Sequence, residues 1–278
     1  MTTQPIFAEL ESRALIAVSG PDWRSFLQGL LTQDVESLAP GEARLAALLT
    51  PQGRLLWDLF VIGRDGGAWL DVARAHREAI VQRLSMYRLR AKVEIAPDEA
   101  VVSALFSDPP LGGEHLFVLD PRLPELGLRG YGASAPAGAV VADEAAYDAW
   151  RLSLGVPGPA DWGSEKTYPI EANFDLLHGI DFKKGCFVGQ ETTSRMKRRG
   201  QIKTRMLPIA FDGEAPAPGA EVLAGELRAG EVLSGVGGRA MALLRLDRIA
   251  GALTVDGRPV RVERPAWIVE ALGEVAPA

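Results

Sequence analysis

The chain reads as an α+β protein with a ferredoxin-like N-terminal unit and a small antiparallel β-barrel at its C-terminus. Two observations predict this. Between residues 14 and 96, short strand-like apolar runs alternate with helical spacing in the order β-α-β-β-β-α-β, close to a split βαβ unit. Between residues 213 and 257, nine glycines punctuate short apolar runs that carry no helical period, as in a small barrel or sandwich. A length of 278 residues allows one large domain or two to three small ones. The expected lobes are 1–100, 101–205 and 206–278.

Each element has a local cause. Ala14 to Val18 is a short apolar run, and Ser19-Gly20-Pro21 then sets up a helix start. Trp23, Phe26, Leu27, Leu30 and Leu31 recur on one helical face. Leu45 to Leu49 and Leu55 to Ile62 read as strands joined by the turn Thr50-Pro51-Gln52-Gly53. Ala68 to Val72 is a third strand. Ile80, Val81, Leu84 and Tyr87 mark a second helix, and Lys92 to Ala96 a strand stopped by Pro97. Val101 to Leu105 and Leu116 to Leu119 read as strands of the middle region. Asp143 is placed to cap a helix that carries Tyr147, Trp150 and Leu154 and ends at Gly155 and Pro157.

Composition excludes several classes. Apolar residues form 47% and charged residues 24%, values of a folded globular chain rather than a fibrous or disordered one. Met1 to Glu9 has no signal-peptide pattern and no apolar run approaches a membrane span, so a cytoplasmic protein is expected. One cysteine, Cys186, and three scattered histidines (His76, His115, His178) cannot build a cluster or zinc site, so no stable metal is expected. The net charge is −6, yet residues 183–205 carry +7 and the remainder −13, which points to a local anionic partner. No aromatic platform is interleaved with that basic stretch, so direct nucleic-acid binding is not indicated. Its alternatives are a solvated face and an anion site built on Lys197, Arg198 and Arg199.

The chemically dense segment is Lys184-Gly185-Cys186-Phe187-Val188-Gly189-Gln190-Glu191, continuing to Arg195. Two glycines near the cysteine allow close approach of a ligand or positive φ. Lys184 and a helix opening near Gln190 would both favour the thiolate. The plain alternative is a buried structural cysteine beside a tight turn.

This segment resembles the K-G-C-[FY]-x-G-Q-E signature of YgfZ-type folate-binding proteins, relatives of the glycine cleavage system T-protein, an aminomethyltransferase. Phe26-Leu27-Gln28-Gly29-Leu30-Leu31-Thr32-Gln33-Asp34-Val35 and Leu49-Thr50-Pro51-Gln52-Gly53-Arg54 agree with it. The resemblance covers roughly residues 10–62 and 147–205. It implies a three-lobed aminomethyltransferase-like ring, with the first lobe folate-binding and the second carrying the cysteine motif. It also implies tetrahydrofolate as ligand, a role in assembly or repair of iron–sulfur clusters including those of tRNA-modifying enzymes, and client or assembly proteins as partners. Cys186 and Lys184 would be the functional pair, with Gly185, Gly189, Gln190, Glu191 and Arg195 completing the motif.

By the same resemblance Glu171 would pair with a pterin ring, assisted by Asn173, while Tyr147 and Arg13 would fall where relatives use tryptophans on folate. The alternatives are a surface acid for Glu171, helix core for Tyr147 and a solvated side chain for Arg13. The T-protein carries an Asp-Asp pair where this chain has Trp57-Asp58, which removes one carboxylate from aminomethyl transfer; Asp58 itself reads as outward-facing or hydrogen-bonded. A folate-dependent one-carbon transferase remains the second reading, and a cysteine-nucleophile enzyme the third.

Overall fold

The structure is a computed structural model that describes residues 4–108, 117–163, 165–200 and 202–272. It forms two compact units: Met1–Tyr147 with Leu177–Gln190, and Asp148–Leu176 with Glu191–Ala278.

In the first unit the strands are β1 (Ile6–Glu9), β2 (Arg13–Ser19), β3 (Ala43–Leu49), β4 (Leu55–Arg64), β5 (Gly67–Ala73), β6 (Glu94–Asp98), β7 (Val102–Phe106), β8 (Phe117–Leu119), β9 (Leu128–Tyr131) and β10 (Val140–Ala142). Helix α1 (Trp23–Gln28) follows β2, and α2 (Arg77–Arg88) follows β5. One sheet has the order β3-β4-β5-β2-β6, with every pairing antiparallel. The β-α-β-β-β-α-β reading thus holds from Arg13 to Asp98. The second sheet, β10-β1-β7-β9-β8, takes its second strand from the start of the chain. Strands β1, β9 and β10 were not anticipated; at three or four residues they are too short to show a period.

Two local expectations are corrected. Helix α1 ends at Gln28, before Leu30 and Leu31. Leu31 leaves the helix to bridge Leu48 and the Thr32 N–H bonds to the Ala47 carbonyl, so sheet pairing outcompetes another helical turn. Pro97 does not stop β6 but lies within it, opposite Ile16, because β6 is an edge strand where a missing N–H is tolerated. The apolar face of this sheet and of both helices, including Ile16, Leu27, Leu59, Leu70, Ile80 and Leu84, forms the main core. Each such side chain contributes about 1.5–3 kcal/mol on burial.

Helix α3 (Glu144–Ser153) is capped as expected, the Asp143 carboxylate accepting the Ala146 N–H at 3.1 Å. In the second unit, α4 (Gln190–Arg199), which takes its first residue from the other unit, leads to a closed barrel. The barrel comprises β11 (Thr204–Phe211), β12 (Glu221–Ala224), β13 (Leu227–Val236), β14 (Arg239–Arg245), β15 (Leu253–Val255) and β16 (Arg258–Val262), in the order β11-β14-β13-β12-β15-β16. Ile209, Val232, Ala242, Leu244 and Val255 fill its interior, and α5 (Ala266–Leu272) contributes Ile268. The small antiparallel barrel expected from glycine-rich texture is therefore present. No described helix is long and apolar enough to cross a membrane.

Candidate functional site

The cysteine loop of the first unit is built from the backbone inward. The Thr32 hydroxyl donates to the Gly179 carbonyl at 2.6 Å, and the Asp181 N–H donates back to the Thr32 carbonyl. The Asp181 carboxylate then accepts the N–H groups of Lys183 and Lys184 at 2.7 and 3.2 Å, folding the next residues into a turn. Lys184 is buried, and its Nζ donates to the carbonyls of Gln28, Leu31 and Gln33 at 2.7, 2.6 and 2.8 Å. All three ammonium protons are used on carbonyls at and beyond the end of α1. Burial pulls this lysine down to about 8, against the opposing pull of Asp34, Asp181 and Glu36.

Beyond it, Phe187 is buried and Val188 packs on the main core. Gly189 has φ +82°, and a Cβ there would lie 2.6 Å from the Thr50 carbonyl oxygen and 2.9 Å from the Leu49 Cβ. The Thr50-Pro51-Gln52-Gly53 turn and the cysteine motif are thus in backbone contact, and only glycine fits between them. Gly185 differs: it lacks positive φ, and a Cβ would meet nothing within 4 Å. Cys186 is exposed, which corrects the alternative of a buried structural thiol. It stands in solvent between Lys184, two residues before it and held by three carbonyls, and the buried Phe187. The Gln190 N–H bonds to the Phe187 carbonyl at 3.2 Å, so the first donor of α4 has a partner within the motif. The expected electrostatic role of Lys184 is recast as well. Its ammonium is a strut for the loop, held by carbonyls. Glu191 and Arg195 of α4 are exposed and 4.0 Å apart.

Arg13 and Tyr147 are not open to solvent. Arg13 Nε bonds to Asp71 at 2.7 Å and its NH1 to Asp58 at 2.9 Å, which corrects the expectation of a solvated arginine and, of the two readings of Asp58, selects the hydrogen-bonded one. Arg129 bonds to Asp71 at 2.6 Å, Arg122 to Asp120 at 2.7 Å, and the Tyr147 hydroxyl accepts from Arg122 at 2.7 Å. All these side chains are buried, and the guanidinium carbons of Arg129, Arg122 and Arg13 lie 4.0, 5.0 and 5.6 Å from the Phe60 ring centre. Three arginines face three aspartates, so the network is neutral. Burial pushes Asp71 upward, but Arg129 and Arg13 prevail and hold it below the usual carboxylate range; Arg122 does the same for Asp120. Sequence reasoning missed Asp71, Asp120, Arg122 and Arg129. The available signal was a charged residue inside an apolar strand, as in Leu128-Arg129-Gly130.

In the second unit, Glu171 is half-buried. Its Oε2 accepts the Tyr168 N–H at 2.9 Å and its Oε1 the Thr204 hydroxyl at 2.5 Å. Asn173, fully buried at φ +61°, donates to the Met206 carbonyl and accepts from Arg205, so its amide nitrogen and oxygen each have an interior partner. Arg205 grips Asp175 with two bonds of 2.9 Å. Two of the eight cations counted between 183 and 205, Lys184 and Arg205, are therefore interior groups. Lys197 reaches within 3.8 Å of Asp175, and Arg198 is exposed. His178 is an exposed residue at φ +58°, His76 lies 6.3 Å from the Trp57 ring, and His115 falls outside the described residues. Among the described residues no group of three or more His, Cys, Asp or Glu is arranged to hold a metal ion.

Residues 203–270 match the family described as the CAF17 C-terminal beta-barrel domain. Over 229 residues the chain is 34% identical to the mitochondrial iron–sulfur cluster assembly factor IBA57 homolog of Mycosarcoma maydis, covering 73% of this chain and 57% of the relative. A Neurospora crassa homolog of the same name is 31% identical over 75% of this chain and 54% of the relative, so the chain spans little more than half of these two proteins. The human factor IBA57, also named mitochondrial, is 31% identical over 281 residues, covering 88% of this chain and 79% of the relative. These names overturn the cytoplasmic location expected from the sequence. The crystal structure of aminomethyltransferase T of the glycine cleavage system from Bartonella henselae superposes with a TM-score of 0.77 at 18% identity, covering 96% of this chain and 87% of that one. That likeness shows an aminomethyltransferase-like fold.

Proposed function

Because the chain belongs to the IBA57 family of iron–sulfur cluster assembly factors, we propose that it is an accessory protein of cluster assembly or repair that presents one thiol to a cluster held by other proteins. The observation that carries this reading is the exposed Cys186, set between Lys184, bonded to three carbonyls, and the buried Phe187. One cysteine supplies one ligand, so the thiolate would form a single bond to iron while partner proteins fill the remaining positions. Client or assembly proteins, including tRNA-modifying enzymes, are the proposed partners. Cys186→Ser keeps the volume and removes the soft ligand. It should leave the melting temperature unchanged and fail to restore iron–sulfur enzyme activity in a deletion strain. A stable variant that complements fully would overturn the thiolate role.

The finer, YgfZ-like part of the proposal is tetrahydrofolate binding, and Glu171 supports it best. Each of its carboxylate oxygens takes one intrachain donor, which leaves a lone pair on each for the amino and N3–H groups of a pterin. Arg13, Tyr147 and Asn173 are each engaged in hydrogen bonds within their own unit. Reduced folate should bind at micromolar scale, about 8 kcal/mol. Calorimetry should show weaker binding to Glu171→Ala, with Thr204→Val as the control that disturbs the same carboxylate without removing it. Equal affinity in wild type and Glu171→Ala would remove Glu171 from the site.

A further inference from the structure

A cavity of about 470 Å³ opens in the first unit where the β4–β5 hairpin meets β8 and β9. Its walls include Ile62, Trp69, Phe117 and Tyr131, with Arg64 and Asp65 at the hairpin tip. This volume suits a small molecule. The walls are fixed from behind. Trp69 Nε1 donates to the Asp98 carboxylate at 2.9 Å, and the Tyr131 hydroxyl bonds to Asp71 at 3.3 Å. The two rings stand 6.2 Å apart, tilted by 45°.

Arg64 is the informative group. Its guanidinium carbon lies 3.6 Å from the Trp69 ring centre, and among the described residues it forms no ion pair. Most other arginines of this unit whose contacts are described face a carboxylate or a row of carbonyls. A guanidinium held over an indole is confined in position while its N–H donors, unpaired among the described residues, stay available to a carboxylate or phosphate. The same charge disfavours a cationic ligand, which would otherwise suit an aromatic-walled pocket.

We propose that this cavity is a binding site for a planar aromatic oxyanion, its ring against Phe117 and Tyr131 and its anionic group on Arg64. The site is separate from the Glu171 and Cys186 constellations. Asp65, the neighbouring carboxylate, weakens anion binding, and this fixes the sign of one test.

Calorimetry on the full chain with 2-naphthoate, 2-naphthyl phosphate and 2-naphthylmethylammonium tests the assignment. One or both anions should bind and the ammonium should not. Arg64→Gln should weaken anion binding at least tenfold and Asp65→Asn should strengthen it; both residues are exposed, so the fold is retained. Tighter binding of the phosphate than of the carboxylate would assign the natural ligand to aromatic phosphates, and the reverse order to aromatic carboxylates. Glu171→Ala should leave naphthyl binding unchanged, which keeps this site's fate independent of the folate proposal. Absence of binding by both anions, equal binding of the ammonium, or unchanged affinity in Arg64→Gln would overturn it.

Discussion

In the Arg–Asp network of the first unit every buried cation faces a carboxylate, whereas Lys184 of the same unit is buried against three backbone carbonyls and forms no ion pair among the described residues. The first arrangement balances charge against charge, so its members depend on one another. The second offsets the desolvation of one charge with dipoles at a helix end, where carbonyls lack partners. Two consequences differ. Removing one network member leaves an opposite charge buried, while removing Lys184 leaves only neutral acceptors. The network is therefore a stability element, and the lysine a device that fixes one loop and the thiol beside it.

The largest expected effect follows from that contrast. Arg129→Leu strips Asp71 and Asp120 of a shared partner and should destabilise the fold by about 3–5 kcal/mol in denaturant unfolding. Lys184→Met keeps the apolar stem and leaves three acceptors to water or nothing, for a loss of about 2–3 kcal/mol. If Lys184→Met proved as costly as Arg129→Leu, the distinction between charge pairing and carbonyl capping would fail.

Acid and alkali should separate the two regions. Asp71 and Asp120 are lowered in the folded state, so their contribution is present above the ordinary carboxylate value near 3.8 and is lost as pH falls through the folded values. Lys184 is lowered to about 8 from 10.5, so between these values the unfolded chain binds the extra proton and stability rises with pH. Subtracting the pH–stability curve of Lys184→Met from that of the wild type should isolate a rise confined to that window. A flat difference would assign the alkaline behaviour elsewhere.

The two motif glycines give the smallest and sharpest contrast. Gly189→Ala meets the Thr50 carbonyl at positive φ and should cost about 2 kcal/mol. Gly185→Ala meets nothing and should change stability by less than about 0.5 kcal/mol. Failure of a stable Gly185→Ala chain to restore iron–sulfur enzyme activity in a deletion strain would mark Gly185 as a site where a partner approaches the backbone.

Sequence alone determined the order of elements from Arg13 to Asp98, the helix capped by Asp143 and the C-terminal barrel, and it marked the Cys186 loop as a candidate site. These follow from short-range rules: strand and helix periods, turn chemistry and a compact motif, all legible within a few residues. Only the tertiary structure decided that Lys184 props the loop, that Gly189 rather than Gly185 needs to be glycine, and that Arg13 and Tyr147 are interior. It alone assembled Asp58, Asp71, Asp120 and Arg129 from separate segments around Phe60. The physical reason is that a buried charge or a close backbone approach is defined by its partner: Asp58 and Asp71 lie 45 and 58 residues from Arg13, and Gln28 lies 156 from Lys184, although Asp120 finds Arg122 only two residues on.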